Sequence, residues 1–395
     1  MSLHPQTPSM ASPLLKRPFL ALWAALTLLQ GCTSNATPVA AKSPSAVAAR
    51  VTPLNTALSQ PWSLAHLPSG GMLVTEKAGA LRRLSADGRQ VQANISGVPT
   101  VHARGQGGLL DVLLAPDFAS SGWLYLSYSE PGTGSEAGLS GTAIFKARLQ
   151  GDALVDGRVI YRQSPKVSGN GHYGSRMLFG PDGQLWVTLG ERQKETPAQD
   201  LTGTLGKIVR LTSEGQAARD NPSWPSGSRP EIWSLGHRNP QGLAFHPSTG
   251  ELWATEHGPQ GGDELNRIRK GANYGWPTRS YGCPYGSPVG EACRIGGGKH
   301  APEFVEPVAT WVPTSIAPSG LLFYSGERFA EWKGHAFVPG LSGSSVWRIV
   351  LKGDTEVSRD EPFGRLGERI RHISQGPDGW IYLLSDSGKL LRVER

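Results

Sequence analysis

With 395 residues the chain is long enough for two ordinary domains or for one large all-β barrel or propeller, and 51 Gly, 31 Pro and 12 Trp against 18% charged residues favour the second. Long amphipathic helical patterns are scarce, which argues against a helical architecture. The formal charge of +7 does not carry a nucleic-acid reading, because Lys and Arg are scattered and no basic stripe interleaved with aromatics is present; a small anionic ligand or an anionic membrane surface accounts for it as well.

Taken in chain order, residues 1–31 read as an export signal: Lys16 and Arg17, an apolar run from Pro18 to Leu29, then Gln30 and Gly31 before Cys32. The run is too short to span a bilayer as a helix. Leu29 to Cys32 resembles a bacterial lipobox, in which Cys32 is lipidated and becomes the mature N-terminus; a plain signal peptide with an incidental cysteine is the alternative. Residues 32–52 are small and polar, as a tether should be. From about residue 53 to the end, six segments carry a turn signal followed by an apolar strand: "LPSGGMLVTEKAGALRRL", "APDFASSGWLYLSYS", "GPDGQLWVTLGE", "HPSTGELWATEHG", "ERFAEWKGHAFVPGL" and "GPDGWIYLLSDSGKLLRV". They begin roughly 50 to 80 residues apart, which suits the four-stranded blades of a six-bladed β-propeller.

Four loops beside these strands concentrate polar residues. In "HARGQGGLLDV", Gln106 lies among glycines that let backbone approach a ligand; an ordinary turn reads the same way. "SGNGHYGSR" spells GxGxxG with Gly169, Gly171 and Gly174, yet a dinucleotide fingerprint must open a helix, and here a strand, a turn and a strand follow. The histidine inside it, His172, and Glu191 at the end of the next hairpin strand can come together, so that a carboxylate orients an imidazole; a structural histidine is the alternative. "SLGHRNPQGLAF" places Arg238 beside Asn239, suited to a planar anion or to a surface ion pair. "ATEHGPQGGDELNRIRKGANYGWP" offers Asp263 and Glu264 after exposed backbone carbonyls, suited to Ca²⁺ or to a solvated acidic turn, and it fails the EF-hand spacing. Cys283 and Cys293, in a loop rich in Gly and Pro, are expected to form one disulfide, since a metal site needs more ligands than this pair.

From about Pro61 onward the chain resembles the soluble, pyrroloquinoline quinone (PQQ)-dependent aldose sugar dehydrogenases. The resemblance lies in "GQGGLLDVLLAPDF", "HYGSRMLFGPDGQLWVTLGE", "GHRNPQGLAF", "EHGPQGGDELNRIRKGANYGWP", "IAPSGLLFY" and "RIRHISQGPDGWIYLLSD". It implies a six-bladed propeller that oxidises aldoses to lactones with PQQ and Ca²⁺ and hands electrons to a separate acceptor. No CxxCH haem site is present. The export signal and lipobox, for their part, imply an exported, lipid-anchored protein of the envelope, facing the periplasm. His172 would be the general base and Glu191 its partner, where the family usually has Asp. Gln106, Arg238, Asn239, Arg369 and Arg371 would contact PQQ. The carbonyls of Gly258 and Pro259 would hold the Ca²⁺ beside the quinone; Glu264 and the Tyr274 carbonyl, with Asp263, would hold a second. Ser342 stands where the family has a cofactor-binding lysine, and Lys333 is the nearby cation that could substitute. A Ca²⁺-dependent propeller lactonase and a non-enzymatic binding propeller that has lost PQQ are the alternatives.

Overall fold

The structure, a computed structural model, describes residues 49–395; the export signal, Cys32 and most of the tether lie outside the described residues. From Arg50 to Glu394 the chain forms six four-stranded sheets, a six-bladed β-propeller, with one four-residue α-helix at Phe118–Ser121. The first strand, Arg50–Asn55, begins inside the segment expected to be tether.

Each repeat read from the sequence supplies the second strand of a blade: Met72–Glu76, Trp123–Pro131, Leu185–Leu189, Leu252–Glu256, Ala336–Pro339 and Ile381–Ser385. Several of these are buried along their whole length instead of alternating. The cause is that a neighbouring blade covers each face, so both faces need apolar side chains. The core is therefore divided into layers between blades. Leu73, Leu81 and Ile95 of the first blade meet Leu109, Leu124 and Leu126 of the second. The last layer closes the ring, where Met72 and Val74 of the first blade pack on Leu384 and Leu390 of the sixth. The N-terminal strand Arg50–Asn55 completes the sixth blade from outside, antiparallel to Leu390–Glu394 with Val51 opposite Val393. Joining the two ends of the chain in one sheet holds the ring shut without a free seam.

The first strand of each blade lines the central axis. In five of them the register with the second strand shifts across the opening residues, at Pro61–Ser63, Leu109–Val112, Gly174–Met177, Pro240–Gly242 and Ile370–His372. Such bulges bend the strand and re-aim its side chains, here at one end of the axis. Just below, the buried Arg176 plugs the centre. It donates to Asp111 Oδ1, to the Gln241 carbonyl and to the Ser319 carbonyl, each at 3.1 Å, lies 3.2 Å from His372 Nδ1, and stacks 4.2 Å from the Trp62 ring. Beside it, Gly242 lets the strand backbones of neighbouring blades close together, since a Cβ there would fall 2.6 Å from the Gly320 backbone.

Candidate active site

The glycine-rich loop is followed by the strands Gly174–Phe179 and Leu185–Leu189, so the GxGxxG opens a hairpin and no helix. That hairpin brings His172 and Glu191 together: His172 Nδ1 hydrogen-bonds Glu191 Oε1, and both side chains are buried. An ionised carboxylate only accepts, so Nδ1 carries the proton and Nε2 is left as an acceptor, free of hydrogen bonds among the described residues. Both partners are pinned from behind. The His172 backbone N–H donates to Gln106 Oε1 at 2.7 Å, and the second Glu191 oxygen accepts the N–H groups of Lys194 and, at 2.6 Å, of Glu195. His172 has φ +51°, and the loop after Glu191 continues with Arg192, Gln193 and Glu195 at +59°, +58° and +61°. Left-handed backbone at non-glycine residues costs energy and persists where the surroundings over-determine it, as they do in many functional sites.

Burial draws the His172 imidazole below its ordinary value of 6.5, with the Glu191 hydrogen bond opposing and the Arg238 and Arg192 charges adding to the fall. For Glu191, burial pushes upward but is outweighed by the bond to His172 and by the Glu195 N–H, so the carboxyl stays below its ordinary range. A neutral imidazole against an ionised carboxylate is the arrangement of a general base near neutral pH.

Beside this pair a cavity of about 300 Å³ opens on the axis. Gln106, Tyr173 and Gly174 connect it to the His172 loop, while Trp62, Leu110 and Leu341 give it apolar wall. Arg369 and Arg371 enter from the sixth blade and share one acid, Asp386, through Nε contacts of 3.1 and 3.0 Å. Burial raises the Asp386 carboxyl, but the two arginines, Arg371 foremost, hold it below its ordinary range. A second histidine, His257, also lines the cavity. Its Nε2 donates to the Pro318 carbonyl at 2.9 Å and its Nδ1 faces Asn239 Nδ2 at 3.3 Å, so neither nitrogen is free to take a substrate proton. Asn239 is fully buried and also accepts the Gly174 N–H at 3.0 Å, tying the fourth blade to the histidine loop.

Arg238 points its guanidinium at the Gly258 carbonyl, 2.7 Å away, next to the buried Pro259. That carbonyl thus already faces a positive charge. Asp263 is spent on shaping this loop: its oxygens accept the Gly258, Ile316 and Ala317 N–H groups and the Ser315 hydroxyl, at 2.6 to 2.9 Å. Glu264, Glu256, Gly258, Gly262 and Tyr274 surround a void of about 10 Å³, room for one small ion or water. Burial and then the Glu256 charge push the Glu264 carboxyl well above its ordinary range. Among the described residues no cluster of three or more His, Cys, Asp or Glu side chains is set to hold a metal, so a cation here would need backbone carbonyls.

The Glucose / Sorbosone dehydrogenase family model matches residues 58–392. The chain belongs to that family. It is 44% identical over 343 residues to the aldose sugar dehydrogenase YliI of Escherichia coli, spanning 85% of this chain and 90% of that protein. The apo-form crystal structure of the soluble aldose sugar dehydrogenase from Escherichia coli superposes with a TM-score of 0.81 at 43% identity, covering 88% of this chain and 99% of that one. The PQQ-bound form of an aldose sugar dehydrogenase from Streptomyces coelicolor follows at 0.70 and 30%, covering 89% and 99%.

Within this family member, the residues singled out in the sequence fall into two neighbouring groups. His172, Glu191 and Gln106 are joined by hydrogen bonds, Arg369 and Arg371 line the cavity, and Arg238 and Asn239 link the His172 loop to the loop of Gly258, Asp263 and Glu264. The disulfide Cys283–Cys293 closes a nearby loop whose Tyr285 hydroxyl lies 3.4 Å from Arg238. Lys333 is elsewhere: it pairs with Glu327 and does not line the cavity, because it precedes the strand Ala336–Pro339 whereas the rim residue Leu341 follows that strand's other end. Lys77, Asp386, Gln241 and His257 line the cavity and escaped the sequence reading. Their one available signal was position: each stands at or near the end of a strand, where a propeller gathers its site.

Proposed function

We propose that this protein oxidises aldose sugars to lactones with PQQ and Ca²⁺. The observation that carries the reading is the His172–Glu191 pair, its Nε2 free, beside a cavity walled by cations. When bound, PQQ supplies the acceptor for a hydride from the anomeric carbon, and Ca²⁺ supplies the charge that polarises it. The residues present fit both groups. A planar tricarboxylic acid suits paired arginines set against apolar wall, and the Gly258 backbone and the Glu256 and Glu264 carboxyls around one small void offer the hard oxygen donors that suit Ca²⁺. Arg369 and Arg371 would hold quinone carboxylates, with Gln106, Arg238 and Asn239 around the ring. Gly258 and Pro259 would hold one Ca²⁺, and Glu264 with the Tyr274 carbonyl a second, with Asp263 bracing the loop.

His172 Nε2 takes the proton of the anomeric hydroxyl as the C1 hydrogen departs with its electron pair and the C1–O bond becomes a carbonyl. Glu191 keeps the ring in the tautomer that leaves Nε2 bare and stabilises the imidazolium that forms. Gln106 fixes the His172 backbone, so the base does not drift when the proton arrives. A lactonase would need free central carboxylates, and Asp111, the acid of the innermost ring, is bound to Arg176. The test is to add Ca²⁺ and PQQ to the purified apo-protein and follow dye reduction with several aldoses. Reduction that needs sugar and quinone together is expected; neither quinone binding nor turnover with any aldose would sink the proposal.

A further inference from the structure

The cavity wall carries Lys77, Arg369 and Arg371 against the single carboxylate Asp386. Asp386 is used twice, by both arginines. Lys77 has no ion pair among the described residues; its Nζ donates to the Gly105 carbonyl at 2.8 Å, which leaves two of its three N–H donors unspent. Its backbone is fixed on both sides, donating to the Gln60 carbonyl at 3.2 Å and accepting the Leu109 N–H at 3.1 Å. Gly108 makes this approach possible, since a Cβ there would fall 2.2 Å from the Lys77 carbonyl oxygen. Burial, and after it the Arg371 charge, draw the Lys77 ammonium below its ordinary value, as befits a cation set among cations. Such an excess of positive charge in a concave wall is relieved by an anion.

Across the cavity, Leu341 lines the wall and Ser342, next in the chain, is exposed on the rim. We propose that Lys77, reaching in from the first blade, supplies the third cationic contact to the quinone carboxylates, in place of the lysine that this chain lacks at Ser342. The assignment rests on the functional reading above. It also explains how the chain can differ at 342 and still present three cations to a tricarboxylate.

The test is a titration of the full apo-protein with PQQ at fixed Ca²⁺, followed by quenching of tryptophan fluorescence, since Trp62 lines the same cavity. Lys77→Met, which keeps the apolar stem, should raise Kd by roughly 10- to 100-fold, the loss of one charged hydrogen bond, and should flatten its salt dependence. Lys77→Arg should stay within about threefold, and Lys77→Met combined with Ser342→Lys should recover most of the affinity. Thermal melts check that each variant folds. A wild-type Kd for Lys77→Met, with Arg369→Met weakened, overturns the assignment and leaves the functional reading standing. Failure of the wild-type protein to bind PQQ overturns both.

Discussion

Two histidines stand at the site, and only their hydrogen bonds tell them apart. His257 spends both nitrogens on Pro318 and Asn239, whereas His172 spends one on Glu191 and keeps Nε2. The sequence brought His172 and Glu191 within reach through a hairpin, but it gave no hint of His257, because a chain does not display which of its nitrogens a distant carbonyl will occupy. The longer side chain of Glu191, in place of the usual Asp, is accommodated by the turn after it, whose left-handed residues aim the Lys194 and Glu195 N–H groups at the far oxygen. The base must be neutral, and burial lowers its pKa from 6.5, so activity should hold above that lowered value and fall as pH drops through it. Glu191→Gln removes the charge that raises the imidazole pKa. We expect the acid limb of kcat/KM to move to still lower pH and the plateau to fall by about 10- to 100-fold as the base weakens. An unmoved acid limb would separate Glu191 from the titrating group.

At the scale of single elements, the loops work because small residues let backbones touch. Gly190 is the clearest case: a Cβ there would come 2.1 Å from the His172 carbonyl oxygen. Gly190→Ala should therefore push the histidine loop off Glu191, costing about 1–3 kcal/mol of stability and most of the turnover. Thermal melting and steady-state kinetics read the two effects, and a variant with wild-type values for both would refute the close packing. The turn-and-strand repeats were legible because Gly, Pro and Asp mark turns by their own chemistry. The innermost strands were not, since no one residue type recurs at their matching places: Ser63, Asp111, Arg176, Gly242 and His372 are a hydroxyl, an acid, a guanidinium, a glycine and an imidazole. They are chosen to fit one another around the axis, and that constraint runs across blades instead of along the chain.

For the molecule as a whole, the same ring shows what holds the floor of the site. Arg176 touches residues from all the other blades, and Asp111, buried with it, has no other cation among the described residues. Arg176→Met should leave that carboxylate buried and unpaired, a loss of about 3–5 kcal/mol by denaturant titration; a cost below about 1 kcal/mol would show that the plug is dispensable. The blade count was open to reading from the repeats alone, while the closure by Arg50–Asn55 was missed, because a strand that borrows its partner from the far end of the chain looks like the end of a tether. Fold and charge together lead to one claim, that His172 takes a sugar's anomeric proton above a bound quinone. The most direct test reconstitutes wild type and His172→Ala side by side with Ca²⁺ and PQQ, and measures quinone affinity and aldose-dependent turnover on the same samples. The account predicts nearly equal affinity and a turnover lower by about 10²- to 10⁴-fold in the variant; equal turnover, or loss of quinone binding in step with turnover, would contradict it.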